Sequence, residues 1–391
     1  MVKARFMLLL LALACRPPVS PRPIEPQVRY RPGTPIDDAG QQLLAIIPDG
    51  QWDLGLVEAA EDLMMVMRDR TARIPPTAAS LAAARAGFPG QARFARQITG
   101  GAFPDALVEQ ALLSASGLPV DLGLVSRSFG DGITLWVLGW APHVADIDPL
   151  PLRLDLDGSL AVRMDLLTPV DRNSRLFLAP PDSAVMELTI RSGVARWLDR
   201  FETPGEWRVE VITGEQQEAQ VALLFSVFVD SAPPPLPILS AARLPAPNPS
   251  EAEAALYVAL QTMRAERGLP RLQRFELFES VAREHSALMA SSGVIAHRIP
   301  GVTAGVPDRA ARLAHPRAAH TENVAAAANA EEAMDLVTGS PAHLGALLCQ
   351  DCTHVSIGAA LEPVLDRRPR LFVTWEMMSF PEGAPRKIRD W

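Results

Sequence analysis

Apolar and polar positions change rhythm several times along the chain, and each rhythm predicts its own kind of element. In LVEAAEDLMMVM (residues 56–67) apolar side chains recur at helical spacing, which predicts an amphipathic helix. LGLVSRSFGDGITLWVLGWAP (122–142) reads as two strands joined by the turn Gly130-Asp131-Gly132. From 146 to 232 the period shortens to two: LRLDLDGSLAVRMDLL, SAVMELTIRSG, EWRVEVITGE and AQVALLFSVFVD alternate between breaks of Gly, Pro and Asp, as in an antiparallel β-sandwich. The carboxylates of these runs are spaced as solvent-facing strand residues. Helical spacing returns near 251, where Leu256, Leu260 and Met263 form one stripe, with Ser250 expected as N-cap, Glu253 as its capping-box partner and Gly268 as the stop. A second helix carries Leu277, Val281, Ala282, His285 and Met289 and ends at Gly293.

Two Pro-rich stretches interrupt these patterns. Residues 16–36 predict an extended tether, and 233–250 an extended linker, because proline restricts φ and removes a backbone donor. Before the tether, MVKARFMLLLLALAC has a basic start, an apolar run and small residues closing on Cys15. That is an export signal, too short for an ordinary membrane span. The cysteine at its end resembles a bacterial lipobox, although Ala12 stands where leucine is usual. Two outcomes follow: acylation of Cys15 and attachment to a membrane, or a plain secretory signal discarded with its cysteine. Arg16, where some bacteria use aspartate for inner-membrane retention, points by analogy to the outer membrane.

Composition narrows the partners. A net charge of −8 and a pI near 5.5 exclude broad nucleic-acid binding, which needs a basic face. At 391 residues with 48% apolar content, the chain can fill two or three domain cores. Its histidines are not spread evenly: of the seven, only His143 lies outside 285–354.

Around those histidines the text runs LYVALQTMRAERGLPRLQ, VAREHSALMASSGVIAH, HTENVA, GSPAHLGALL, VSIGAAL and LFVTWEMM. Motifs in this order resemble the CAP superfamily, the cysteine-rich secretory and pathogenesis-related proteins, in its bacterial form. The resemblance covers about the last third of the chain and implies a CAP-type α-β-α sandwich over 251–391. It also implies a cleft built from His297, from Glu322 in the Glu322-Asn323 pair, and from His343 in Ser340-Pro341-Ala342-His343. The tryptophan and second glutamate of the larger family members have no match in the helix 331–337. If its segment is extended, His320 shares a face with Glu322 and can take the missing place; otherwise it is an exposed loop residue. His285 reads as a partly buried helix residue, His315 as a solvated loop residue and His354 as the start of a strand.

Two imidazoles and a carboxylate have the donor set of a zinc-type site with one position left for water. They also suit acid–base work or a structural hydrogen-bond network. Cys349 and Cys352, the only cysteines after Cys15, are expected to form a disulfide across a turn. Ser340 before Pro341 reads as a helix N-cap, so no serine nucleophile is assigned.

The first part of the chain parallels the last. FPDALVEQALLSASGLPVDLGL aligns with SPAHLGALLCQDCTHVSIGAA, and ITLWVLGWA with RLFVTWEMM, with Ala106 roughly opposite His343. Repetition of this length suggests duplication. The expectation is an α+β chain: signal 1–15, tether 16–36, a degenerate CAP-like α+β domain over 37–145, and an immunoglobulin-like β-sandwich over 146–232, for the turn and strand of FETPGEWRVEVITG resemble the late hairpin of such modules. The linker 233–250 and the CAP domain 251–391 complete it. The expected function is an exported, lipid-anchored envelope protein binding a small ligand, lipid or glycan in the His297/Glu322/His343 cleft, with zinc as a candidate cofactor. A metal-dependent hydrolase using the same three residues and a structural adhesin are the alternatives.

Overall fold

The computed structural model describes residues 26–115, 118–167, 174–190, 194–197, 201–214, 219–241, 247–299, 301, 305–313, 319–364 and 368–387. The export signal with Cys15, the first part of the tether and His315 lie outside them. The chain is mixed α+β, and no described helix is long and apolar enough to cross a membrane.

The first unit is a four-stranded sheet ordered Gly50–Trp52, Val120–Ser128, Thr134–Pro142, Arg93–Thr99, with the first pair parallel and the others antiparallel. Helix Leu54–Val66 is capped by Asp53, whose side chain accepts from the amides of Gly55 and Leu56 at 2.7 and 3.1 Å. Strand alternation gives this sheet two apolar faces. Leu122, Leu124, Leu138 and Trp140 pack with helix residues Leu43 and Leu107, while Leu135 and Val137 pack with Leu63, Met64 and Ala82.

The middle unit has a five-stranded sheet built around Arg175–Ala179, Gly205–Thr213 and Gln220–Val229, and a three-stranded sheet of Val194–Trp197, Leu160–Leu166 and Ala145–Ile147. One core that includes Val162, Met164, Phe201, Trp207, Val209 and Phe228 lies between them. The flanking Pro-rich stretches are less detached than their composition suggests. Val28 is fully buried in a short antiparallel pair with Leu150, and Leu239 bonds to the backbone of Val66 and Arg68.

The last unit repeats the architecture of the first. Its sheet runs Gln273–Arg274, His354–Leu361, Leu371–Ser379, Ala319–Ala327, again with one parallel pair followed by two antiparallel ones. Helices Pro249–Glu266, Ala330–Gly339 and Pro341–Leu347 cover one face through Leu256, Leu260, Val337 and Leu344 against Ile357, Val373 and Trp375. Helix Glu276–Ser292 covers the other through Phe278, Val281 and Met289, and Gly293 closes it at φ 71°.

Gly358 lets that helix lie directly on the sheet: a Cβ there would stand 2.1 Å from the Arg283 amide nitrogen. Gly123 does the same in the first unit, 2.5 Å from the amide nitrogen of Val57. With these glycines superposed, pairing sets Trp140 where Trp375 stands and Ala141 where Glu376 stands. That register lies two residues away from the alignment of ITLWVLGWA with RLFVTWEMM. A two-residue slip leaves every side chain on its own face, so the apolar pattern cannot detect it.

Three local expectations change. The first helix of the last unit begins at Pro249 and is capped by Asn248, not Ser250, with the Asn248 side chain accepting from Ser250 and Glu251. Proline at the first helical position costs no intrahelical bond, which moves the start forward. Glu253 is therefore no capping-box partner; it is buried, bonded by Arg283 at 2.7 and 2.8 Å and by the Ala359 amide at 3.0 Å. Leu277 lies exposed, and Phe278 takes the core position beside it.

Candidate functional site

The site grows from the edge strand Ala319–Ala327, whose alternation sends neighbouring residues to opposite sides. His320 and Glu322 point toward the helix Glu276–Ser292, and Asn323 points toward the helix Pro341–Leu347. Across the ladder Glu322 pairs with Glu376, so two carboxylates share one sheet face. Both are buried, with side chains 1% and 0% exposed.

Two like charges in such a place need cations and donors. Arg309, in the short helix Val306–Ala311, supplies a guanidinium that is 5% exposed. Its Nη2 and Nε both bond Glu322 Oε2, the latter at 3.1 Å, and Nε lies 3.4 Å from Glu376 Oε1. Nη2 also donates to the carbonyl of His297 at 3.0 Å, which ties the histidine's backbone to the same cation. His297 Nδ1 donates to Glu322 Oε1 at 2.7 Å, and His320 Nε2 to Glu376 Oε2 at 2.6 Å. Burial, followed by the Glu376 charge, pushes the Glu322 carboxyl upward, while His297 and Arg309 pull it back.

The histidines divide by exposure. The His297 side chain is 38% exposed, and its Nδ1 is anchored on Glu322. His320 is no loop residue: it sits in the strand, 4% exposed, turned into the protein toward Glu376. His285 is buried, donates to the Ala296 carbonyl at 3.0 Å and stands 3.9 Å from Glu322; burial lowers it to about 4. His343 follows the cap of the helix Pro341–Leu347, where Ser340 accepts from the His343 amide. Its Nδ1 is 2.7 Å from Ser340 Oγ, and Asn323 Nδ2 donates to its carbonyl at 2.9 Å. Burial and the nearby His297 lower His343 to about 4, which keeps the ring neutral at ordinary pH. His354 opens the strand His354–Leu361, and Cys349 and Cys352 form a disulfide with an S–S distance of 2.10 Å.

The structure thus joins His297 and Glu322 directly and sets His343 on the other flank of the same strand. Both Glu322 oxygens are taken, by His297 and Arg309, so this carboxylate lies behind the imidazole and not in an open ligand position. Among the described residues no three His, Cys, Asp or Glu side chains converge as metal ligands.

Sequence reasoning missed Glu376, Arg309 and Glu210. Glu376 was detectable as a lone charge inside LFVTWEMM. Glu210, in an alternating strand, has the spacing of a solvent-facing residue, yet it is fully buried against Ser340.

No protein-family model and no curated protein matches this chain. Several solved structures are similar to it. An outer surface protein of Borrelia burgdorferi shares 22% identity over 33% of this chain and 92% of its own, at a TM-score of 0.28. An extracellular protein containing an SCP domain from Bacillus anthracis shares 14% over 46% of this chain and 66% of its own, at 0.29. A cysteine-rich secretory protein from Staphylococcus aureus shares 11% over 61% and 83%, at 0.27.

Proposed function

We propose that this chain is an exported cell-envelope protein that binds a ligand without transforming it, and that His297 and His343 are its contact groups. The observation that carries the reading is the state of Glu322. A carboxylate enclosed by Arg309 and His297 orients an imidazole, but it has no free oxygen with which to take a proton from water. This disfavours a hydrolase built on His297, Glu322 and His343.

In the Nδ1–H tautomer that donates to Glu322, Nε2 of His297 keeps its lone pair. A hydrogen-bond acceptor of this kind suits the hydroxyl groups of a glycan or a lipid headgroup. The residues fit a divalent ion in part: His297 and His343 would hold it, and Glu322 would act as the outer partner of His297. Such an ion would add a Lewis-acidic contact for a ligand oxygen. His320 and Glu376 lie behind this surface and support it.

The signal ending at Cys15 supplies the route out of the cell and a membrane anchor in the same reading. The matched strand order of the first and last units supports a duplication in which the first copy lost its site, since Ala141 occupies the place of Glu376. The test is equilibrium binding of envelope glycan fragments and lipid headgroups to the full exported chain. Binding that His297→Ala and His343→Ala each weaken at least tenfold supports the reading, and a panel with no binder removes it.

A further inference from the structure

The strand Gly205–Thr213 of the middle unit reaches the last unit through two parallel contacts. Arg208 Nη1 donates to the Thr338 carbonyl at 2.5 Å, and two residues on, Glu210 Oε2 meets Ser340 Oγ at 2.7 Å. Glu210 Oε2 also accepts from the Ala342 amide at 2.8 Å. Glu210 is fully buried, and Ser340 is 6% exposed. Ser340 Oγ in turn lies 2.7 Å from His343 Nδ1.

A hydroxyl has one hydrogen to give. Glu210 as a carboxylate can only accept, so the Ser340 hydrogen points to it, and the Ser340 oxygen must accept from His343 Nδ1–H. A neutral imidazole carries one N–H, which leaves Nε2 as a lone-pair acceptor. Burial pushes the Glu210 carboxyl up, while the Ala342 amide, the Ser340 hydroxyl and the Arg208 charge oppose the shift.

We propose that Glu210 is a positioning residue for the candidate site: acting through Ser340, it fixes His343 as the Nδ1–H tautomer with Nε2 free. The middle unit is then part of the site and more than a spacer. His297 and His343 become a matched pair, each held at Nδ1 by a carboxylate, directly from Glu322 and through a hydroxyl from Glu210. The inference rests on the reading of His343 as a contact group.

The test is long-range proton–nitrogen NMR of the full exported chain with labelled histidine, in wild type, Glu210→Ala, Ser340→Ala and Ser340→Thr. Wild type and Ser340→Thr should show the His343 proton on Nδ1, because both keep the hydroxyl. Glu210→Ala and Ser340→Ala should shift it toward Nε2, with His297 unchanged as the internal control. If Glu210→Ala fails to fold, the Ser340 pair decides. A wild-type proton on Nε2, or a His343 signal indifferent to Ser340→Ala, overturns the proposal. Zinc chloride added to the same samples separates the two readings. A wild type that binds neither zinc nor any member of the glycan and headgroup panel but shows the predicted tautomers upholds the relay and weakens the binding reading. Zinc binding with tautomers indifferent to Glu210 and Ser340 does the reverse.

Discussion

Arg309→Ala tests the charge balance on which the site depends. The side chain is 5% exposed and bonds Glu322, which is 1% exposed, while its Nε lies 3.4 Å from the fully buried Glu376. Removing one partner of a buried ion pair costs roughly 3–5 kcal/mol, because the remaining charge is left in a low-dielectric setting. Here two carboxylates remain on one face of a sheet, so the upper part of that range is expected. The loss should depend on pH. Without the guanidinium, the Glu322 carboxyl, already raised by burial and Glu376, rises further. A carboxyl whose folded pKa lies above its unfolded one binds its proton more tightly when folded, so stability recovers as pH falls toward and below that raised value. Urea unfolding of the exported chain at pH 5 and pH 8 measures this, with hydrogen exchange in 319–327 and 371–379 identifying the relevant transition. Arg309→Ala should lose most at pH 8 and less at pH 5, and adding Glu376→Gln should restore part of the loss. A variant within about 1 kcal/mol of wild type at pH 8 would refute the buried-pair argument, as would an equal loss at both pH values.

Three further outcomes are expected. His285 is 3% exposed and lowered to about 4, so on acidification the unfolded chain takes up the proton first. Stability should fall from pH 6.5 toward 4, by up to roughly 3 kcal/mol at about 1.4 kcal/mol per pKa unit, and His285→Leu should flatten that slope in urea titrations. Gly358→Ala forces a Cβ against the backbone of Ala282 and Arg283, so the helix Glu276–Ser292 must lift, and exchange protection across it should collapse. Cys15→Ser should move the protein from the membrane fraction to the soluble one; an unchanged distribution would remove the lipid anchor.

Much of the layout was legible because burial imposes a period. The helix stripe of Leu256, Leu260 and Met263, the strands around Gly130-Asp131-Gly132 and the stop at Gly293 follow from local pattern alone. The Cys349–Cys352 bridge and the Ser340 cap are local too, each spanning three residues. What resisted reading was set across distance. Glu210 is spaced like a solvent-facing residue, and only the packing of the last unit onto its strand buries it. Arg309 sits in an ordinary polar stretch, and nothing in PDRAAR announces two carboxylates waiting across a sheet. His320 has the sequence neighbours of a loop and the burial of a core residue, since Glu376 comes from a strand more than fifty residues on. The resemblance to CAP proteins singled out His297, Glu322 and His343 as candidates, but it did not reveal that Glu322 is already paired.

The most direct test of the central claim, that His297 and His343 serve one ligand, is a zinc titration of the full exported chain followed through the imidazole nitrogens of both residues. Zinc is a small probe that would perturb both rings together if their Nε2 atoms serve one ligand. The account predicts a single saturating event that perturbs both rings together and is lost in His297→Ala and in His343→Ala alike. Independent weak binding at each histidine, or saturation that survives either substitution, would contradict it.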